Sequence, residues 1–130
     1  MSDQPTVLSV NGRGDPVFRT ALVIDTDVSR QIAARTALRQ TGLFSLVLSC
    51  ESNAIAREVI EDDSTPTIHL ALLDADMAGA CLPLMSPGLA ARTVLTHDAE
   101  VSPDTDLLAL PHPLSPAVIE DVFQRLPPLD

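Results

Sequence analysis

Residues Ile68–Gly79, IHLALLDADMAG, impose the tightest constraint on how this chain folds. Ile68 to Leu73 are almost all apolar, and the run stops at Asp74, with Asp76, Met77 and Gly79 following. A short apolar run without alternation reads as a strand buried on both faces, the pattern of a parallel sheet. Its carboxylate then falls at the carboxyl end of the strand, the edge where open α/β sheets hold ligands. Taken alone, Asp74 serves equally well as a turn or helix cap. A second stretch, Ala21–Asp27 (ALVIDTD), has the same form. Two such strands side by side bring Asp25, Asp27 and Asp74 to one edge.

A chain of 130 residues has room for one domain and one core, and a 45% hydrophobic composition predicts that it folds. No apolar run approaches the roughly 20 residues that span a bilayer. The start, MSDQPTVLSV, lacks the basic end and long apolar middle of a signal peptide, so the expected location is the cytoplasm, off the membrane. A formal net charge of −10 argues against nucleic acid and for solubility, a cation site or a basic partner. All eight basic residues are Arg, and Lys, Trp and Tyr do not occur. Cys50 and Cys81 have no metal-ligand spacing and make no disulfide framework; Cys50 reads as a small core residue.

Residues 1–17 read as an N-terminal arm, with Thr6–Val10 as a short extra strand and Asn11–Pro16 as a turn. The domain proper is 18–127. Strand one is Thr20–Ile24, and a helix follows over Val28–Thr41, capped by Thr26 or Asp27 and ended by Gly42. Ile32, Ala33, Ala37 and Leu38 give it an apolar face, with Arg30, Arg35 and Arg39 turned to water. Phe44–Ser49 is the second strand and Ser52–Glu61 the second helix, burying Ile55, Val59 and Ile60. The acid run Glu61–Asp63 lies where the helix dipole disfavours it, so that end should fray. After the strand ending at Asp74, the connection Ala75–Arg92 carries Pro83, Pro87 and Gly88, which exclude a regular helix of more than two turns. Thr93–Thr96 is the fourth strand. The polar stretch His97–Asp106 is too short for a normal crossover helix. Leu107–Leu110 is the fifth strand, and Pro111–Leu114 a rigid loop. Ser115 and Pro116 start a last helix with a stripe of Val118, Ile119, Val122, Phe123 and Leu126. This alternation predicts a parallel sheet wrapped by helices, thinly covered on one face.

Over about Phe18–Leu126 the chain resembles the receiver domain of bacterial two-component response regulators. The points of contact are the acid turn after strand one, Asp74 with Met77 and Gly79 behind it, Thr96 after strand four, the proline-bounded loop after strand five, and the amphipathic last helix. The resemblance implies a five-stranded parallel sheet of order 2-1-3-4-5, the flavodoxin-like receiver fold, here with the third and fourth helices short or missing. It implies Asp74 as phosphoacceptor and Thr96 as the hydroxyl that follows the phosphoryl group. Mg²⁺ would be held by Asp25, Asp74, the backbone carbonyl of Asp76 and, one residue out of step, Asp27. His112 falls on the family's Lys position, and the His112–Pro113 bond is expected to be cis as in the family.

The chain departs from the pattern at several points. Thr26 stands where the family has its second acid, no Lys exists to replace the one lost at His112, and Ala109 stands at the aromatic switch position. The expected function is therefore an atypical, pseudo-receiver signalling domain in a phosphorelay, not an enzyme, with phosphorylation impaired or absent and Mg²⁺ binding compromised at Thr26. Its expected partner is a histidine kinase, a phosphotransfer protein, a downstream regulator or a second copy of the chain. With no output domain after Asp130, the signal is expected to pass through protein contact at the fifth strand, the last helix and Ala75–Arg92. One alternative is a phosphorylatable single-domain regulator using Asp74 and Mg²⁺. A second is a small-ligand-binding α/β domain.

Overall fold

The computed structural model describes residues 18–98 and 107–126. Its elements are β1 (Thr20–Ile24), α1 (Val28–Gln40), β2 (Leu46–Cys50), α2 (Asn53–Glu61), β3 (Ile68–Asp74), α3 (Ala78–Cys81), α4 (Pro87–Ala91), β4 (Thr93–His97), β5 (Ala109–Pro111) and α5 (Pro116–Arg125). Short 3-10 turns lie at Ala75–Met77 and Leu82–Leu84. The sheet is parallel throughout, in the order β2-β1-β3-β4-β5, with helices between, a flavodoxin-like arrangement. The expected arm, the extra strand at Thr6–Val10, the turn at Asn11–Pro16 and most of the His97–Asp106 connection fall outside the described residues. Among the described residues no helix is long and apolar enough to cross a membrane.

Period-two alternation divides the central strands between two cores. Ala21, Val23, Leu70, Leu72, Val94 and Leu110 face one side, under Ala34, Ala37 and Leu38 of α1 and Ile119 and Val122 of α5. Leu22, Ile24, Ala71, Leu73 and Leu95 face the other, under Ala56 of α2 and Met77, Cys81 and Met85 of the β3–β4 connection. That connection is broken into pieces of five residues or fewer. Carried one step on, the parity of Val23, Leu72 and Val94 brings Asp25, Asp74 and Thr96 out on the α1 side. At the opposite end of the sheet, Phe44 and Phe123 meet edge to face at 5.3 Å, and the Arg19 and Arg92 guanidinium groups lie 5.5 and 5.6 Å from the Phe123 ring. These contacts fix α5 against β1 and β4.

Some elements differ from the sequence reading, each for a physical reason. The buried face of α1 is Gln31, Ala34, Ala37 and Leu38, while Ile32 is 50% exposed. The small Ala34 and Ala37 let the helix approach the sheet closely, and polar contacts to Asp25 draw Arg30 and Gln31 inward. Arg30 therefore does not face water. In α2, Ala56 takes the buried position expected of Ile55, and Ser52 is the N-cap. Val118 of α5 is exposed. β2 begins two residues later than expected, at Leu46. β5 starts at Ala109 and takes in Pro111, which an edge strand accommodates because its missing N–H has no ladder partner to serve. Gly42, at φ 71°, closes α1 in the left-handed conformation that favours glycine.

Candidate functional site

Asp25 continues β1 by one residue, its backbone N–H donating to the Cys50 carbonyl at 3.1 Å. It is only 2% exposed, and a carboxylate so buried must be compensated. The Asp27 N–H donates to Oδ1 at 2.9 Å. Arg30 then grips both oxygens, Nε to Oδ2 at 2.9 Å and Nη2 to Oδ1 at 2.8 Å. Gln31 Nε2 donates to the Asp25 carbonyl at 2.6 Å. The two-pronged guanidinium–carboxylate contact is the strongest geometry available to a side-chain ion pair. Arg30 reaches it because helical side chains slant toward the helix N-terminus, and Arg30 is in the first turn of α1.

The same Nη2 stands 3.6 Å from Asp74 Oδ2. That is beyond hydrogen-bond length, so the attraction is charge alone. Arg30 Nη1 also lies 3.9 Å from the largely exposed Asp98 carboxylate. The hydrogen bond to Asp25 and the charges of Asp25, Asp74 and Asp27 outweigh burial and hold Arg30 firmly protonated. Burial, and then the Asp25 charge, push the Asp74 carboxyl above its ordinary range, against the opposing pull of Arg30 and the Asp76 backbone N–H. Thr96 is buried beside Asp74, its register partner on β4. Asp25, Asp74 and Thr96 are thus gathered at one edge.

The remaining candidates lie around this cluster, with the Asp27 N–H on Asp25 and the Asp76 N–H on Asp74. Asp27 is exposed, and its carboxylate caps α1 by accepting from the Arg30 N–H at 2.9 Å. Thr26 and Asp76 are exposed as well. His112 follows β5 directly and is joined to Pro113 by a cis bond, and its backbone N–H donates to the His97 carbonyl at 2.8 Å. Its Nε2 is buried with no hydrogen-bond partner among the described residues. Burial lowers the His112 pKa despite the nearby Asp25 and Asp98, so the ring is neutral near pH 7 and supplies no positive charge. Ala109 is half-buried at the start of β5.

Mg²⁺ requires several oxygen ligands in near-octahedral array. Here both Asp25 oxygens are engaged by a guanidinium and Asp27 is committed to its helix. No group of three or more His, Cys, Asp or Glu among the described residues is arranged to hold a metal. The donor set as it stands does not fit a divalent cation. Arg30 is the residue of this cluster that sequence reasoning missed. A strand-end acid buried in a chain without Lys can be paired by an Arg, and Arg30 is the nearest one in sequence to both Asp25 and Asp27.

An open groove of about 280 Å³, lined by Val59, Ile60, Asp62, Pro66, Ile68 and Leu89 among others, lies at the amino end of β3, away from Asp25 and Asp74. No family model, curated protein or solved structure matches the chain.

Proposed function

We propose that this chain is an atypical receiver-like signalling domain of a cytoplasmic two-component or phosphorelay pathway, acting by protein–protein contact without phosphoryl transfer. The observation that carries this reading is the Arg30 fork on Asp25, which leans on Asp74 and occupies the oxygens that phosphoryl chemistry would need for a metal. The receiver-like part is supported by the strand order and by Asp25, Asp74 and Thr96 meeting at one carboxyl edge. The loss of chemistry is supported by a neutral His112 and by Ala109, which has no ring to swing. The partner, a kinase, a phosphotransfer protein, a downstream regulator or a second copy, would dock on β5, α5 and the segment 75–92, where Val118 of α5 and Leu108, just before β5, are exposed.

The register pairing of Asp74 with Thr96 favours one second reading, a regulator phosphorylated on Asp74. Intact mass after incubation with Mg²⁺ and acetyl phosphate separates the two. The expected result is no adduct. A phosphoryl adduct on the wild type that is lost in Asp74→Asn would establish the second reading instead.

A further inference from the structure

We infer that the Arg30 guanidinium is the resident cation of this site, taking the position a divalent ion would need, so that the fold holds Asp25 and Asp74 together without metal. The comparison with a metal rests on the receiver-like reading above; the fork itself is geometry. Two carboxylates buried at one sheet edge repel each other, and the fold must neutralise them. A divalent ion would do so through oxygen ligands. This chain does it with planar N–H donors on a covalent tether. Nη2 is shared between the two acids, 2.8 Å from Asp25 and 3.6 Å from Asp74. An ion joining the two acids would have to displace that nitrogen. The tether also joins the edge to α1, because the Arg30 backbone N–H is capped by Asp27 while its side chain holds Asp25. The β1–α1 turn is therefore set by the chain's own charge, independently of any exchangeable ion.

The test uses the full chain and Arg30→Met, which keeps the aliphatic stem and removes the charge. Thermal midpoints are read with about 10 mM MgCl₂ against NaCl of equal ionic strength, and amide NMR spectra are recorded with trace Mn²⁺. The wild type should show the same midpoint in both salts and no selective Mn²⁺ broadening at Asp25 or Asp74. Arg30→Met should unfold several degrees lower and recover by about 3–6 °C in Mg²⁺. Adding Asp25→Asn to it should abolish that recovery. Mn²⁺ broadening at Asp25 and Asp74 of the wild type would overturn the inference, and this arm needs no variant. A folded Arg30→Met that responds to Mg²⁺ no more than to NaCl would overturn it too. Phosphorylation of the wild type would instead overturn the functional reading, so the two failures are distinguishable.

Discussion

Arg30 binds Asp25 through both prongs of its guanidinium, at 2.9 and 2.8 Å, across the turn that joins β1 to α1. Asp25 is almost completely buried, whereas the Arg30 side chain retains 28% exposure. The pair is thus an anion fixed in the protein and a cation delivered from the helix surface. Removing either partner has unequal consequences from removing Asp74, which the guanidinium approaches only at 3.6 Å.

Asp25→Asn leaves Arg30 without its carboxylate and turns an amide toward its N–H groups. The expected cost is about 3 kcal/mol, in the range for breaking one side of a buried ion pair. Asp74→Asn removes a charge that burial and Asp25 already disfavour, so its stability should be unchanged or higher, within about 1 kcal/mol. Urea unfolding of both variants at pH 7 checks the contrast. Equal losses would show that Asp74 shares the fork fully.

Acid should destabilise the fold through two histidines. His69 Nδ1 accepts the Thr20 N–H at 3.2 Å and must be unprotonated there. Burial, with Arg92 and Arg19 nearby, lowers its pKa, and burial lowers that of His112. A histidine with a depressed folded pKa binds more protons when unfolded. Its contribution is fully present above about pH 6.5 and is lost as pH falls below it, with a limiting slope of about 1.4 kcal/mol per pH unit for each group. Unfolding free energies measured from pH 7.5 to 5 should fall in the wild type and flatten in His69→Gln and His112→Asn.

Raising pH through the acid range acts on Asp74 in the opposite sense. Its folded pKa lies above the unfolded one, so its contribution is largest below about pH 3.8 and is lost as pH rises through the folded value. Carbon-detected NMR titration of the side-chain carboxyl should place Asp74 above the ordinary aspartate range. Asp74 should titrate higher still in Arg30→Met, where the opposing cation is gone.

The rotation of α1 can be tested by two truncations. Leu38 is fully buried under the sheet, and Leu38→Ala should cost about 3 kcal/mol. Ile32 is half exposed, and Ile32→Ala should stay within about 0.5 kcal/mol. Thermal or urea unfolding of the pair distinguishes this face from the one with Ile32 inward.

Much of the fold was legible because it rests on local patterns. Apolar runs closed by Asp25 and Asp74 identify β1 and β3. Ser115–Pro116 identifies the start of α5, and Gly42 the end of α1. The edge strand β5 was displaced because two leucines before it read as strand, although Leu108 is exposed. Of the site, the shared edge of Asp25 and Asp74 was legible from strand ends alone. Asp27 read both as a cap of α1 and as an acid of that edge, and the packed helix, whose Arg30 N–H its carboxylate accepts, decided for the cap.

The sequence by itself determined the strand–helix order, the parallel sheet and the acids at its carboxyl edge, since all of these follow from periodicity and turn chemistry along the chain. The tertiary structure decided which cation meets those acids. Helix periodicity assigned Arg30 to solvent, but the burial of Asp25 makes an uncompensated carboxylate too costly, and the backward slant of helical side chains puts this guanidinium within reach. That choice depends on distances between β1, β3 and α1, which exist only once the sheet and helix have packed.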